Sequence, residues 1–254
     1  MIQITAYNKK GDSLNLSTSK AFALTKVTGL TPPKSNINTS DLATKDGSIF
    51  NSSRMQNRNI VLYIYPTADV EATRLSLYKI FQSKKYVKLV LATGSRTAQI
   101  EGYVETLEGD LYTNPQLLQI SIICPNPYFE KTSADTFNFA DQTTEATNNS
   151  DFETGALFTL NISGTLGGLT VTNVTTNESF SFVEDMQAGD VISLDTRQGE
   201  KGITLTRDGV TTNIINSVAT GSVWMQMATG KNTLTLSDQN AGGKVEIIPL
   251  YVGV

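Results

Sequence analysis

The side chains that usually carry catalysis are scarce in this sequence. Its 254 residues contain no His and a single Cys, Cys124. A Ser-His-Asp or Cys-His set therefore cannot be built, and neither can a His-ligated or thiolate-rich metal site or an internal disulfide. Carboxylates remain. A glycosidase needs only two carboxyl groups at a defined separation, and Glu184 with Asp185, or Asp190 with Asp195, are the pairs it would draw on. Their spacing does not set them apart from solvated loop charges. Gly164-Thr165-Leu166-Gly167-Gly168 lacks the Lys-Ser/Thr ending of a phosphate loop and falls between strand-like segments, so it reads as a turn. Asp238-Gln239-Asn240 begins like a calcium loop, but the distal acidic ligand is missing. We therefore assign no catalytic, cofactor-binding or metal-binding residue and expect neither a cofactor nor an enzymatic activity. One side chain invites a binding role. Alternation in Val223-Trp224-Met225-Gln226-Met227 sets the sole Trp, Trp224, opposite Val223, Met225 and Met227. An outward Trp on a β-sandwich can stack on a sugar, or it can be covered by a loop or a neighbouring subunit.

The elements that would position such residues are mostly strands. Ile2, Ile4 and Ala6 alternate with polar neighbours, Ile60-Val61-Leu62-Tyr63-Ile64-Tyr65 is β-branched and aromatic, and Leu118, Ile120, Ile122 and Cys124 share one face. Cys124 thus reads as a small core residue. One helix is expected, from Asp69 to Ser83. Asp69 and Glu71 open it, Lys84-Lys85 follow it, and Val70, Leu77, Ile80 and Phe81 form its core-facing stripe, flanked by Leu75 and Tyr78. Residues 8–58 are polar and turn-rich, which predicts a long hairpin or extended arm reaching a neighbouring subunit. Cys124-Pro125-Asn126-Pro127 stops a strand and marks a boundary, giving domains 1–130 and 131–254. Phe137–Asp151 reads as a polar surface connection. Beyond it, strand signals recur at Leu157–Ile162, Leu169–Val174, Phe180–Val183, Val191–Leu194, Ile203–Thr206, Val223–Met227, Thr233–Leu236 and Val245–Val252, the pattern of a sandwich or jelly roll. The fold class is mainly β.

Charge separates the halves. Residues 1–130 carry 14 basic and 10 acidic side chains, net +4, whereas 131–254 carry 6 and 14, net −8. Neither half is basic enough for tight nucleic-acid binding. No run approaches the ~18 apolar residues of a membrane-spanning helix, and Met1 to Tyr7 lacks a basic region ahead of an apolar core, so no membrane partner and no export signal are expected.

An ordered set of short motifs is more specific than any one of them. Gly29-Leu30-Thr31-Pro32-Pro33, Asp46-Gly47, Arg58-Asn59-Ile60, Leu77-Tyr78-Lys79-Ile80-Phe81, Gly102-Tyr103-Val104-Glu105 and Cys124-Pro125-Asn126-Pro127-Tyr128-Phe129 follow one another. In that order they resemble the distal tail proteins of long non-contractile-tailed bacteriophages. Ile192-Ser193-Leu194-Asp195-Thr196, Gly230-Lys231-Asn232 and Tyr251-Val252-Gly253-Val254 add shorter matches, and Asn126 stands where an acidic residue is common. The resemblance implies a structural virion protein at the distal end of the tail, assembled in the host cytoplasm. It implies an α+β first domain, a β-sandwich or split barrel with one helix and a long β-hairpin arm, and a galectin-like or jelly-roll second domain facing outward. It further implies a homohexameric ring joined to the major tail tube protein on one side and to the tail-associated lysin, tail tip or spike on the other. Phage DNA would pass through the ring in transit, and receptor-binding or side-fibre proteins would attach to the second domain. The alternative from a different class is a carbohydrate-binding protein whose second domain recognises a host cell-wall glycan.

Overall fold

Period-two burial organises the first part of the chain in the computed structural model, which describes residues 2–254. In chain order come β1 (Gln3–Asn8), β2 (Ser13–Asn15), β3 (Phe22–Thr28), β4 (Ser35–Asp41), β5 (Ser48–Met55), β6 (Arg58–Pro66), α1 (Val70–Ile80), β7 (Tyr86–Ala92), β8 (Thr97–Gly109), β9 (Leu118–Cys124) and β10 (Phe129–Lys131). The main sheet is antiparallel in the order β2-β1-β7-β8-β9-β6-β3. Alternate residues Ile60, Leu62 and Ile64 of β6, Val87, Leu89 and Leu91 of β7, and Leu118, Ile120, Ile122 and Cys124 of β9 are buried in one core. Leu77, Ile80 and Phe81 join the same core from α1 and its end. The chain divides into two compact units, this one formed by residues 2–132 with Tyr251–Val254, the other by Ser133–Leu250.

Three local expectations change in this unit. The helix is shorter than residues 69–83: the Asp69 carboxylate caps it by accepting from the Ala72 N–H at 3.2 Å, and the Phe81 N–H closes it on the Leu77 carbonyl. Val70 is exposed and Thr73 takes the buried position instead, because the Thr73 hydroxyl donates to the Ala68 carbonyl at 2.7 Å and so enters the core satisfied. The arm is also shorter than residues 8–58. β2 and β3 belong to the sheet, and only β4 and β5 form a separate two-stranded ribbon. A bulge between Leu24 and Lys26 breaks the alternation of β3, which is why a strand read as a loop.

The second unit is a pair of antiparallel sheets. Six strands run in the order Asp135–Asn138, Ala241–Ile247, Leu157–Ile162, Val191–Asp195, Gly202–Arg207, Val210–Asn213; four run Thr143–Asn148, Gly230–Leu236, Leu169–Asn173, Glu178–Phe182. Phe158, Leu160, Phe180, Phe182, Ile192, Leu194, Met225, Met227 and Val245 are among the residues of its core. Asp208 and Gly209, with φ of 51° and 79°, make the hairpin turn between Gly202–Arg207 and Val210–Asn213. Phe137–Asp151 is not a surface connection, since it supplies a strand to each sheet. Its buried residues Thr144, Ala146 and Asn148 are polar or small, and so gave no apolar alternation. Val223–Met227 is not a strand either; only Met227 makes a bridge, to Thr154. The last strand of the six ends at Ile247, ahead of Pro249, and the chain then returns to the first unit.

Candidate functional site

The ribbon β4–β5 begins and ends at one rigid root. The Gln56 N–H donates to the Lys34 carbonyl at 2.9 Å, the Gln56 and Asn36 side chains bond to each other, and the Ser35 hydroxyl lies 3.2 Å from the Met55 sulfur. Across the strands Asn38 donates to Ser52 at 3.0 Å and Asn51 to Ser40 at 2.7 Å. The register places Ile37 opposite Ser53 and Phe50 opposite Thr39. Ile37 and Phe50 therefore share a face, with Ile49 on the other. These three side chains are 64%, 61% and 53% exposed. The ribbon thus leaves its largest apolar side chains exposed to solvent on both faces.

What fixes the root is a buried cation. Arg58 opens β6 and is only 2% exposed. Its guanidinium donates to four main-chain carbonyls: Gly29 at 2.5 Å, Thr31 at 2.7 Å, Pro127 at 2.7 Å and Val252 at 2.7 Å. It also sits 4.4 Å from the ring centre of Phe129. Burial draws its pKa below the ordinary value, yet an arginine keeps its proton and the planar fork serves several acceptors at once. The segment leading into the arm, the exit after β9 and the C-terminal segment thus meet at one side chain. Gly29 is required there: its φ is +83°, and a Cβ would come 2.1 Å from the Asn59 carbonyl oxygen. Arg96 repeats the arrangement on the C-terminal segment, donating to the Gly253 carbonyl at 3.0 Å and covering the Tyr251 ring at 4.3 Å. The Val254 N–H in turn donates to the Leu30 carbonyl at 3.2 Å.

Arg58 itself opens one of the sequence motifs, Arg58-Asn59-Ile60, but its role there is not legible in sequence, because its acceptors are backbone oxygens and any residue supplies one. The motifs around it were visible, and Gly29, Thr31, Pro127, Phe129 and Val252 all lie within them.

Three of the four nominated carboxylates are engaged in hydrogen bonds or ion pairs, and Asp185 is exposed. Asp190 is buried and accepts from Arg207 at 2.6 and 2.9 Å and from the Gln187 N–H at 2.9 Å. The Arg207 hydrogen bonds hold its carboxyl below the usual range. Asp195 pairs with Arg197 at 2.5 Å, and Glu184 accepts from the Ser217 hydroxyl. Asp185 contributes its main-chain carbonyl, which accepts from Arg207 at 2.8 Å. Among the described residues no group of three His, Cys, Asp or Glu side chains could hold a metal ion. Trp224 is half-buried and lies against Phe180, with ring centres 4.8 Å apart and planes at 51°, so its ring is engaged in the second unit's own packing. Cys124 is buried, and that burial pushes its thiol up to about 12.

Comparison with known proteins places both units. Residues 9–124 match the phage tail protein RIFT-related domain, and residues 149–248 match the siphovirus-type tail component, C-terminal domain. The chain is similar in structure to the Dit protein of phage SPP1, described as a paradigm of the hub adsorption apparatus in phages infecting Gram-positive hosts. The TM-score is 0.73 at 12% identity, over 96% of this chain and 98% of that one. It is also similar to a chain of the phage p2 baseplate in its activated conformation with Sr, with a TM-score of 0.52 at 10% identity, over 97% and 98% of the two chains. No curated protein matches.

Proposed function

The chain belongs to the distal tail proteins of siphophages, and from that premise we propose that six copies close into a ring that joins the tail tube to the adsorption apparatus. As a phage tail hub component it is a structural part of the virion tail. The observation that carries the ring is the ribbon. It is held at its root by Arg58 and presents Ile37, Ile49 and Phe50 to solvent, whereas a monomer would gain nothing from ordering it. A ring needs complementary, non-identical surfaces on each copy, and a projecting arm with a separate receiving edge meets that need. One ring face would bind the last ring of the major tail tube protein and the other the tail-associated lysin, tip or spike. The second unit would carry receptor-binding or side-fibre proteins, and phage DNA would pass through the pore on ejection. Assembly would occur in the host cytoplasm.

Light scattering and negative-stain images of the purified full chain test this reading. A six-fold annulus is expected. A protein that stays a single copy at every concentration would overturn it.

A further inference from the structure

We propose that Asp46, at the tip of the β4–β5 ribbon, is a site of spontaneous main-chain isomerisation, converting to isoaspartate through a cyclic imide with Gly47. The inference goes beyond the ring reading and does not depend on it. In the first step the Gly47 main-chain nitrogen attacks the Asp46 side-chain carboxyl carbon. A C–N bond forms, a C–O bond breaks, and the amide hydrogen and carboxyl OH leave as one water. Water then adds at either carbonyl carbon of the five-membered imide. Opening at the main-chain carbonyl leaves the chain running through the Asp46 side chain. The water lost in closing is regained in opening, so no oxidant, metal or cofactor takes part.

Two places in this chain carry the dipeptide that reacts most readily, Asp46-Gly47 and Asp208-Gly209. The fold separates them. Ring closure requires the Asp main chain to turn about its Cα–C bond until the carboxyl carbon faces the next nitrogen. Residues 42–47 join Asp41 to Ser48, the last pair of the ribbon, and all six are exposed. Among the described residues none of the six makes a hydrogen bond between main-chain groups, so nothing opposes that turn. Gly47 stands at φ +98° with open space where a Cβ would be, and its nitrogen is approached with no side chain beside it. Asp208 is held instead. With Gly209 it makes a tight turn at φ 51° and 79°, closed by the Arg207 and Val210 pair and by the Thr206 and Thr211 hydroxyls 2.9 Å apart. Turning its main chain would open that hairpin. The product at Asp46 carries one extra atom in the main chain and its carboxylate on a shorter branch. A loop that is free of ladder bonds absorbs this change, so the ribbon's extremity is altered beside Ile49 and Phe50 while the strands stay paired.

Ageing the purified full chain at neutral pH tests the site. Isoaspartate is read by a protein carboxyl methyltransferase, which moves a labelled methyl from the sulfonium of S-adenosylmethionine to the freed main-chain carboxylate, and mass spectrometry of the digested chain locates it. The peptide containing Asp46 should gain isoaspartate at least ~10-fold faster than the peptide containing Asp208, the factor that about one net hydrogen bond of the turn adds to a barrier. In guanidinium, where the hairpin is unfolded, the two should react at like rates. Asp46→Glu, which would have to close a larger ring, should remove the signal at the tip with an unchanged circular dichroism spectrum. Equal rates at the two sites in the folded protein would overturn the proposal. A difference that persists unchanged in guanidinium would overturn it too, by assigning the selectivity to neighbouring residues and not to the fold. Ring formation is scored separately by light scattering, and neither of these results bears on it.

Discussion

Replacing Arg58 by Met keeps a stem of similar length and removes the head that four carbonyls share. Each hydrogen bond from a charged donor is worth about 1.5–3 kcal/mol. The four are not independent, and the Thr31 carbonyl, on an exposed residue, regains water once the guanidinium is gone. The net loss should be about 3–5 kcal/mol, the range for breaking a buried charged network. Against a domain stability of about 5–15 kcal/mol this is severe. For a unit of about 136 residues it corresponds to a fall in Tm of about 10–17 °C. The assay can assign the loss to one unit. Trp224, the sole Trp, lies in the second unit, so its fluorescence follows that unit, whereas far-ultraviolet circular dichroism follows both. Arg58→Met should lower the dichroism transition and leave the Trp224 transition in place. Arg58→Lys should fall between, because three donors on one atom cannot reach four spread acceptors. A Tm within about 3 °C of the parent for Arg58→Met would show that water replaces the guanidinium, and the clamp would lose its role.

Replacing Ser35–Met55 by a short Gly-containing turn between Lys34 and Gln56, already bonded to each other, should give a folded protein that light scattering finds as single copies. A deletion extended to Thr31 would also remove an Arg58 acceptor and confuse folding with assembly. Gly29→Ala forces both a left-handed φ and a 2.1 Å contact and should cost more than the ~1–3 kcal/mol of backbone strain alone. Gly11→Ala, at φ +88° in open space, should cost only that strain, and urea titration of both variants checks the difference. The Asp190 carboxyl is held below its unfolded value, so its contribution is present above about pH 4 and lost as pH falls through the folded value. Trp224 fluorescence across an acid titration should therefore show the second unit weakening below about pH 4, and Asp190→Asn should flatten that slope while lowering stability at neutral pH.

The sequence by itself determined the strand-rich class, because alternation of Ile, Val and Leu with polar residues records which side of a sheet meets the core. It marked the two prolines at Pro125 and Pro127, the polar arm and the ordered motifs that resemble the tail family. It also excluded imidazole chemistry, thiolate-rich metal sites and internal disulfides by composition alone. Where burial was achieved with Thr, Ala and Asn, as at Thr144, Ala146 and Asn148, or where a bulge shifted the register, as at Leu24 and Lys26, the period vanished and real strands looked like loops. Alternation sets Trp224 outward, but no strand exists there to enforce it, and Phe180 packs against its ring. Only the tertiary structure decided that Arg58 gathers Gly29, Thr31, Pro127 and Val252, residues up to 194 positions distant in sequence from it. A guanidinium recognises carbonyl oxygens by where they stand in space, and main-chain oxygens leave no trace in a string of side chains.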